Sequence, residues 1–215
     1  MKLFFKNQTV FFRGTLLISL SIFLFFTMVG VSKNEYWRYI IYEKSPLGYY
    51  QALLLLSCCI YAFLNLRADQ RKTGKLSFGW LILFLGFIYL TLDEKFALHE
   101  NLREQIFKPN NFVLPALFWV ERGDYGLLIL MIIGLCLSPF VLKVVSHNKS
   151  ARNLFFGAMA FSAFVVAVDS IDLQGMPLPR QKLLQYFEEI FELTAEIFYL
   201  NALFRLYYSN STASL

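Results

Sequence analysis

Glu188, Glu189, Glu192 and Glu196 interrupt an otherwise apolar stretch near the end of the chain. On an ideal helix of about 3.6 residues per turn they fall within an arc of about 100°, so they share one face. At about 1.5 Å per residue, Glu196 lies roughly 12 Å further along that helix than Glu188. A carboxylate in hydrocarbon is disfavoured by roughly 2.5 kcal/mol or more on insertion scales, so acids held there face a partner, a cavity or an ion.

A second group follows an earlier apolar run, in Leu92-Asp93-Glu94-Lys95-Phe96-Ala97-Leu98-His99-Glu100. On a continued helix Asp93, Glu100 and Glu104 fall within about 40° of one another, while His99 projects about 100° from Glu100. Both could face one ion only with a bend or a helix rotation. The two runs cross in opposite directions, which sets Asp93 against Glu192 or Glu196 and Glu100 against Glu188 or Glu189 if the helices pack. Asp169 and Asp172, at the outer end of another run, would close the ring.

Like charges this dense cannot all stay ionised at low dielectric without compensation. A divalent metal leads the possibilities, with Fe, Mn or Zn suiting hard oxygen donors and one imidazole. Its expected ligands are Asp93, His99, Glu100, Glu189, Glu192 and Glu196, with Asp169, Asp172 and Glu188 in support. A spare glutamate would then serve as general base for hydrolytic or redox chemistry on a lipid-phase substrate. Protons are a second compensation and would make the protein a proton- or cation-coupled transporter. Basic side chains are a third: Lys95, Arg103, Arg122, Arg180 and Lys182 would form a structural network. The acids of a non-catalytic subunit could likewise meet bases on a membrane protein partner. Glu94 and Glu104 read as solvent-exposed or paired with nearby bases. A di-iron site built on Glu-x-x-His pairs is excluded, because Phe96 stands three positions before His99. A three-histidine zinc site fails because the chain has only 2 His.

The Leu-Asp-Glu run with His99-Glu100, together with Glu188-Glu189-x-x-Glu192 in the last helix, resembles a group of uncharacterised bacterial multi-pass inner-membrane proteins. That resemblance implies a membrane bundle and supplies no activity.

The elements that must hold these residues follow from composition. At 57% hydrophobic, with 24 Phe and 16% charged residues, the chain is too apolar for a soluble domain of 215 residues. Apolar runs near the roughly 20 residues that cross a bilayer recur at 14–31, 47–66, 76–92, 125–145, 154–171 and 183–206. They predict one all-α bundle of six transmembrane helices using the whole chain. Lys2, Lys6 and Arg13 precede the first run without a cleavage-like sequence after it, which favours a retained anchor over a signal peptide. Basic residues cluster close to the span ends at Arg67, Arg71, Lys72 and Lys75 and at Lys143, Lys149 and Arg152, which predicts cytoplasmic termini, and the resemblance implies that the membrane is a bacterial inner membrane. All acids except Asp69 then fall on the outer side. The net charge of +5 is scattered over short loops, which argues against nucleic acid. Tyr36, Trp37, Tyr39 and Tyr42 suit an interfacial anchor, residues 112–120 suit a lid or a surface loop, and Pro179 suits a helix start. Tyr89, Tyr186 and Tyr199 read as packing aromatics, and Asn201 as a helix-to-helix hydrogen-bond donor.

Overall fold

Ser45-Pro46, Gly74 and Asn148 punctuate the apolar runs. The computed structural model describes residues 2–42, 44–109, 120, 125–171, 173 and 176–212. Its long helices are α1 (Lys2–Ser32), α3 (Pro46–Thr73), α4 (Phe78–Phe96), α6 (Tyr125–Val145), α7 (Lys149–Asp169) and α8 (Leu178–Thr212). Short helices α2 (Tyr36–Tyr39) and α5 (Leu98–Leu102) lie between them, and a π-helical turn, Arg103–Phe107, continues α5. The Ser45 hydroxyl caps α3 by accepting the Gly48 N–H at 2.9 Å, with Pro46 at the first helical position. Gly74 ends the same helix at φ +68°, a conformation that costs glycine little. Asn148 caps α7 by accepting the N–H groups of Ser150 and Ala151, each at 3.1 Å. Pro179 sits in the first turn of α8, where its missing N–H removes no helical bond.

By length and composition, four stretches can cross a membrane: Asn7–Ser32, Pro46–Thr73, Tyr125–Val145 and Lys149–Asp169. The chain is an all-α membrane protein. Helices α4 and α8 cover the other two predicted runs, but both carry several charged residues. Helix α8 also runs well past the boundaries of its apolar run: its 35 residues span about 52 Å, against a hydrocarbon core of about 30 Å.

Helices α3 and α8 form the centre. Helix α3 packs on α4 and α8, α7 on α8, and α1 on α8. Cys58, Ala62 and Ala202 are fully buried, and such small side chains let backbones approach closely. Polar groups tie the same helices together. The Asn65 amide donates to the Leu203 carbonyl at 3.1 Å, and Asn201 donates to the Thr15 hydroxyl at 3.0 Å, the inter-helix role expected of it. Apolar side chains on the outside of α1 and α6, among them Leu17, Met28, Ile132 and Leu135, are exposed and suit contact with lipid.

Candidate functional site: an acidic cavity

At the end of the bundle away from both termini, α3, α4, α7 and α8 enclose a cavity of about 260 Å³. Glu188, Glu189, Glu192 and Glu196 line it from α8. Asp93, Glu94, His99 and Glu100 line it from α4 and α5, and Asp169 from α7. No lysine or arginine lines it among the described residues. The expected ligands therefore share one space, with Asp172 outside the described residues.

The α4 wall departs from the continued helix that would align Asp93, Glu100 and Glu104. Helix α4 stops at Ala97, whose φ of 53° is left-handed, and the chain turns there. The turn brings His99 back onto Asp93. Its backbone N–H donates to Asp93 Oδ1 at 2.8 Å, and its Nδ1 bonds Asp93 Oδ2 at 3.0 Å. A carboxylate on Nδ1 fixes the orientation of an imidazole. Beyond the bend, Glu100 pairs with Arg103 at 3.2 Å. Glu104 leaves the stripe, pairing with Lys108 at 2.6 Å and Arg103 at 3.3 Å, as expected of an acid beside bases. The Lys108 ammonium holds the Glu104 carboxyl below the usual carboxylate range.

The α8 wall is different. Glu189 accepts a hydrogen bond from Gln51 Nε2 at 3.2 Å. Glu192 lies within electrostatic reach of Asp169, His99 and Asp93. Glu196 is only 3% exposed, and neither of its carboxylate oxygens has a hydrogen-bond partner among the described residues. Gln51 Oε1 is likewise buried without a donor.

Helix α3 packs against both α4 and α8, so the acidic faces meet across the cavity and not along a shared helix seam. Side chains still bridge the gap: the rings of Phe87 and Tyr199 stand 5.4 Å apart. Among the described residues, no three His, Cys, Asp or Glu side chains converge as they would around one bare metal ion. Of the bases expected to balance the acids, Arg103 does pair with one cavity acid, Glu100, as well as with Glu104. Two others stand on aromatic rings: Lys95 lies 3.2 Å above the Tyr49 ring and Lys182 lies 4.4 Å above Trp37. Arg122 falls outside the described residues, as do Glu43, Glu121, Asp124 and nearly all of the 112–120 segment. Of that segment Val120 is described, and it forms an antiparallel bridge with Ile171.

Gln51, Tyr42 and Ser45, none of them among the expected site residues, also line the cavity. Gln51 carried a signal, being a lone amide in the apolar run 47–66. Tyr42 carried only the signal of an interfacial aromatic.

The cavity residues all lie within the part of the chain that a family model matches, residues 19–206. The chain belongs to the DUF8692 family. That family is described as a domain of unknown function. No curated protein and no solved structure matches the chain. In this member of the family the cavity brings together an oriented histidine, a carboxylate stripe and buried acceptors with no donor among the described residues.

Proposed function

We propose that this DUF8692 protein is a six-span protein of the bacterial inner membrane, with both termini cytoplasmic, whose outer half binds a cation in the acidic cavity. One observation carries the reading: Glu196 lines the cavity buried, with both carboxylate oxygens unpartnered. Such a group strongly favours a positive ligand, because a buried carboxylate without compensation is costly. The six-span reading is supported by the lengths of α4 and α8, 19 and 35 residues, each near or above the roughly 20 that cross a bilayer.

The small ion best suited to the cavity is a hydrated divalent metal. Carboxylates spread over facing walls can hold such an ion through its own water molecules, and need not converge on a bare one. Of Fe, Mn and Zn, an oxygen-rich and water-rich setting suits Mn²⁺ best. The Asp93–His99 pair would add an oriented imidazole at the rim.

The test is Mn²⁺ binding by purified protein prepared without chelators, read from the electron paramagnetic resonance of free Mn²⁺. Saturable binding is expected, and the double variant Glu192→Gln/Glu196→Gln should weaken it at least tenfold. Glu104→Gln, on the paired outer turn, should leave it unchanged. No saturable binding in wild type, or equal binding in the double variant, overturns the reading.

A further inference from the structure

The acidic cavity has a neighbour that opens towards the bilayer. Helices α4 and α6 touch near the end of the bundle that holds the 146–148 turn, where a Cβ on Gly79 would run into the Phe140 carbonyl oxygen and meet Val144. They part towards the cavity. Gly86 lies one helical face further along α4, about 10 Å from Gly79. A Cβ there, or at Gly134 on α6, would meet nothing within 4 Å. The gap is a groove of about 170 Å³ whose walls include Ile82, Leu83 and Gly86 of α4 and Gly134 and Val141 of α6. Its polar wall atoms are few. The Ser138 hydroxyl donates to its own helix at the Leu135 carbonyl, 2.7 Å away, and the Tyr199 hydroxyl accepts from Ser162 at 3.4 Å.

Leu90 and Tyr199 line both the groove and the acidic cavity. Two side chains thus form a common wall between an apolar slot facing lipid and a chamber of carboxylates. We propose that the groove receives the hydrocarbon chain of a single-chain lipid-phase amine, and that its ammonium head enters the acidic cavity. This inference rests on the cation-binding reading and names the substrate class of the same site.

Charge decides the head group. With no lysine or arginine among the described lining residues, a phosphate or carboxylate head would be repelled by the buried Glu196 carboxylate, which has no described donor to offset it. Hydrogen bonding agrees. The cavity residues Glu196 and Gln51 hold buried acceptors lacking donors, namely Glu196 Oε1 and Oε2 and Gln51 Oε1. An ammonium group brings three donors and no acceptor. The tail gains little by moving from lipid to an equally apolar wall. Its role is delivery: the chain stays in an apolar setting while the head reaches the acids. Affinity and selectivity therefore reside in the head, and steric fit resides in the tail.

The experiment uses the full chain in phosphatidylcholine nanodiscs with a diazirine-bearing dodecylamine, and a matched dodecyl phosphate as the anionic probe. Crosslinks from the amine should map to residues 82–90 of α4 and 134–141 of α6. Excess Mn²⁺ should reduce them at least tenfold. Gly86→Leu should fill the groove and also reduce them at least tenfold, while leaving Mn²⁺ binding unchanged. Gly134→Leu gives a second obstruction from the facing helix, so a folding defect in one variant does not decide the outcome. Absence of groove crosslinks, crosslinks indifferent to both obstructions, or equal labelling by the phosphate probe overturns the inference. Groove crosslinks in a wild type that binds no Mn²⁺ would sink the divalent-ion reading alone, and Mn²⁺ binding without groove crosslinks would sink the lipid-amine inference alone.

Discussion

Replacing Glu196 by methionine should stabilise the cation-free protein. A buried polar group left without a hydrogen-bond partner costs about 1–3 kcal/mol. Glu196 is such a group, 3% exposed with both oxygens unpartnered. Methionine is unbranched, adapts to irregular spaces and has a helix propensity close to that of glutamate, so the helix itself is little changed. The expected gain is therefore about 1–3 kcal/mol, or about 2–4 °C in Tm per kcal/mol for a chain of this size. The assay is thermal unfolding in detergent with a chelator present, repeated across a Mn²⁺ titration. A cation at a hundredfold excess over its Kd should raise wild-type stability by about 2.7 kcal/mol. The variant should lose most of that increment, so the gap between the two proteins narrows or reverses on adding the ion. If the cation-free variant is less stable by more than about 1 kcal/mol with unchanged helicity, the carboxylate has a structural partner and the cost argument fails. Equal stabilisation of both proteins by Mn²⁺ would remove Glu196 from the site.

Ala97→Gly should raise stability by up to about 1 kcal/mol in thermal unfolding, because glycine removes the Cβ penalty at the left-handed φ of 53°. Ala97→Val should lower it by more than about 1 kcal/mol and weaken Mn²⁺ binding, since the same turn brings His99 onto Asp93. For Glu104, whose pKa the Lys108 ammonium lowers, the stabilising contribution is present above the ordinary carboxyl pKa and is lost as pH falls through the lowered one. Lys108→Gln should raise the Glu104 titration, measured by carbon-13 NMR of labelled glutamate, and should change overall stability by less than about 1 kcal/mol because the pair is exposed.

The acidic face of α8 was legible because residue type and spacing alone define it: glutamates at 188, 189, 192 and 196 share a helical face whatever surrounds them. The all-α class was legible from the apolar runs in the same way. The Asp93–His99 pairing was not. It depends on a left-handed residue at Ala97, and alanine carries no mark of that conformation, whereas glycine or asparagine would have signalled it. The meeting of α4 and α8 was only partly legible. Antiparallel order follows from counting spans, but the packing of α3 on both helices is a tertiary fact that no local pattern encodes. The same packing brings Gln51 to the cavity, so a lone amide became a wall residue of the site. The groove was illegible for a related reason: glycines at 79, 86 and 134 look alike in sequence, yet one marks a close helix approach and the others an open gap.

The two helices that carry most of the cavity's acids, α4 and α8, are also the two long helices that fall short of a spanning composition. Both facts have one cause. Each charge placed within a helix lowers its hydropathy and raises the cost of inserting it, so these helices need support from the rest of the bundle. In α8 that support lies further along the same helix. Leu200, Ala202, Leu203 and Leu206 are almost completely buried there, and α3 packs along α8. Asn65 adds a hydrogen bond from α3 to the Leu203 carbonyl. The second half of α8 is thus built for packing, while Glu196, at the middle of the helix, keeps two oxygens with no donor among the described residues, which packing alone would disfavour. Natural sequences tend to retain such locally unfavourable groups where binding or catalysis requires them. A purely structural role for Glu196 would require a donor within reach of its oxygens, and Lys95, Lys182 and Lys108 lie instead on Tyr49, on Trp37 and on Glu104.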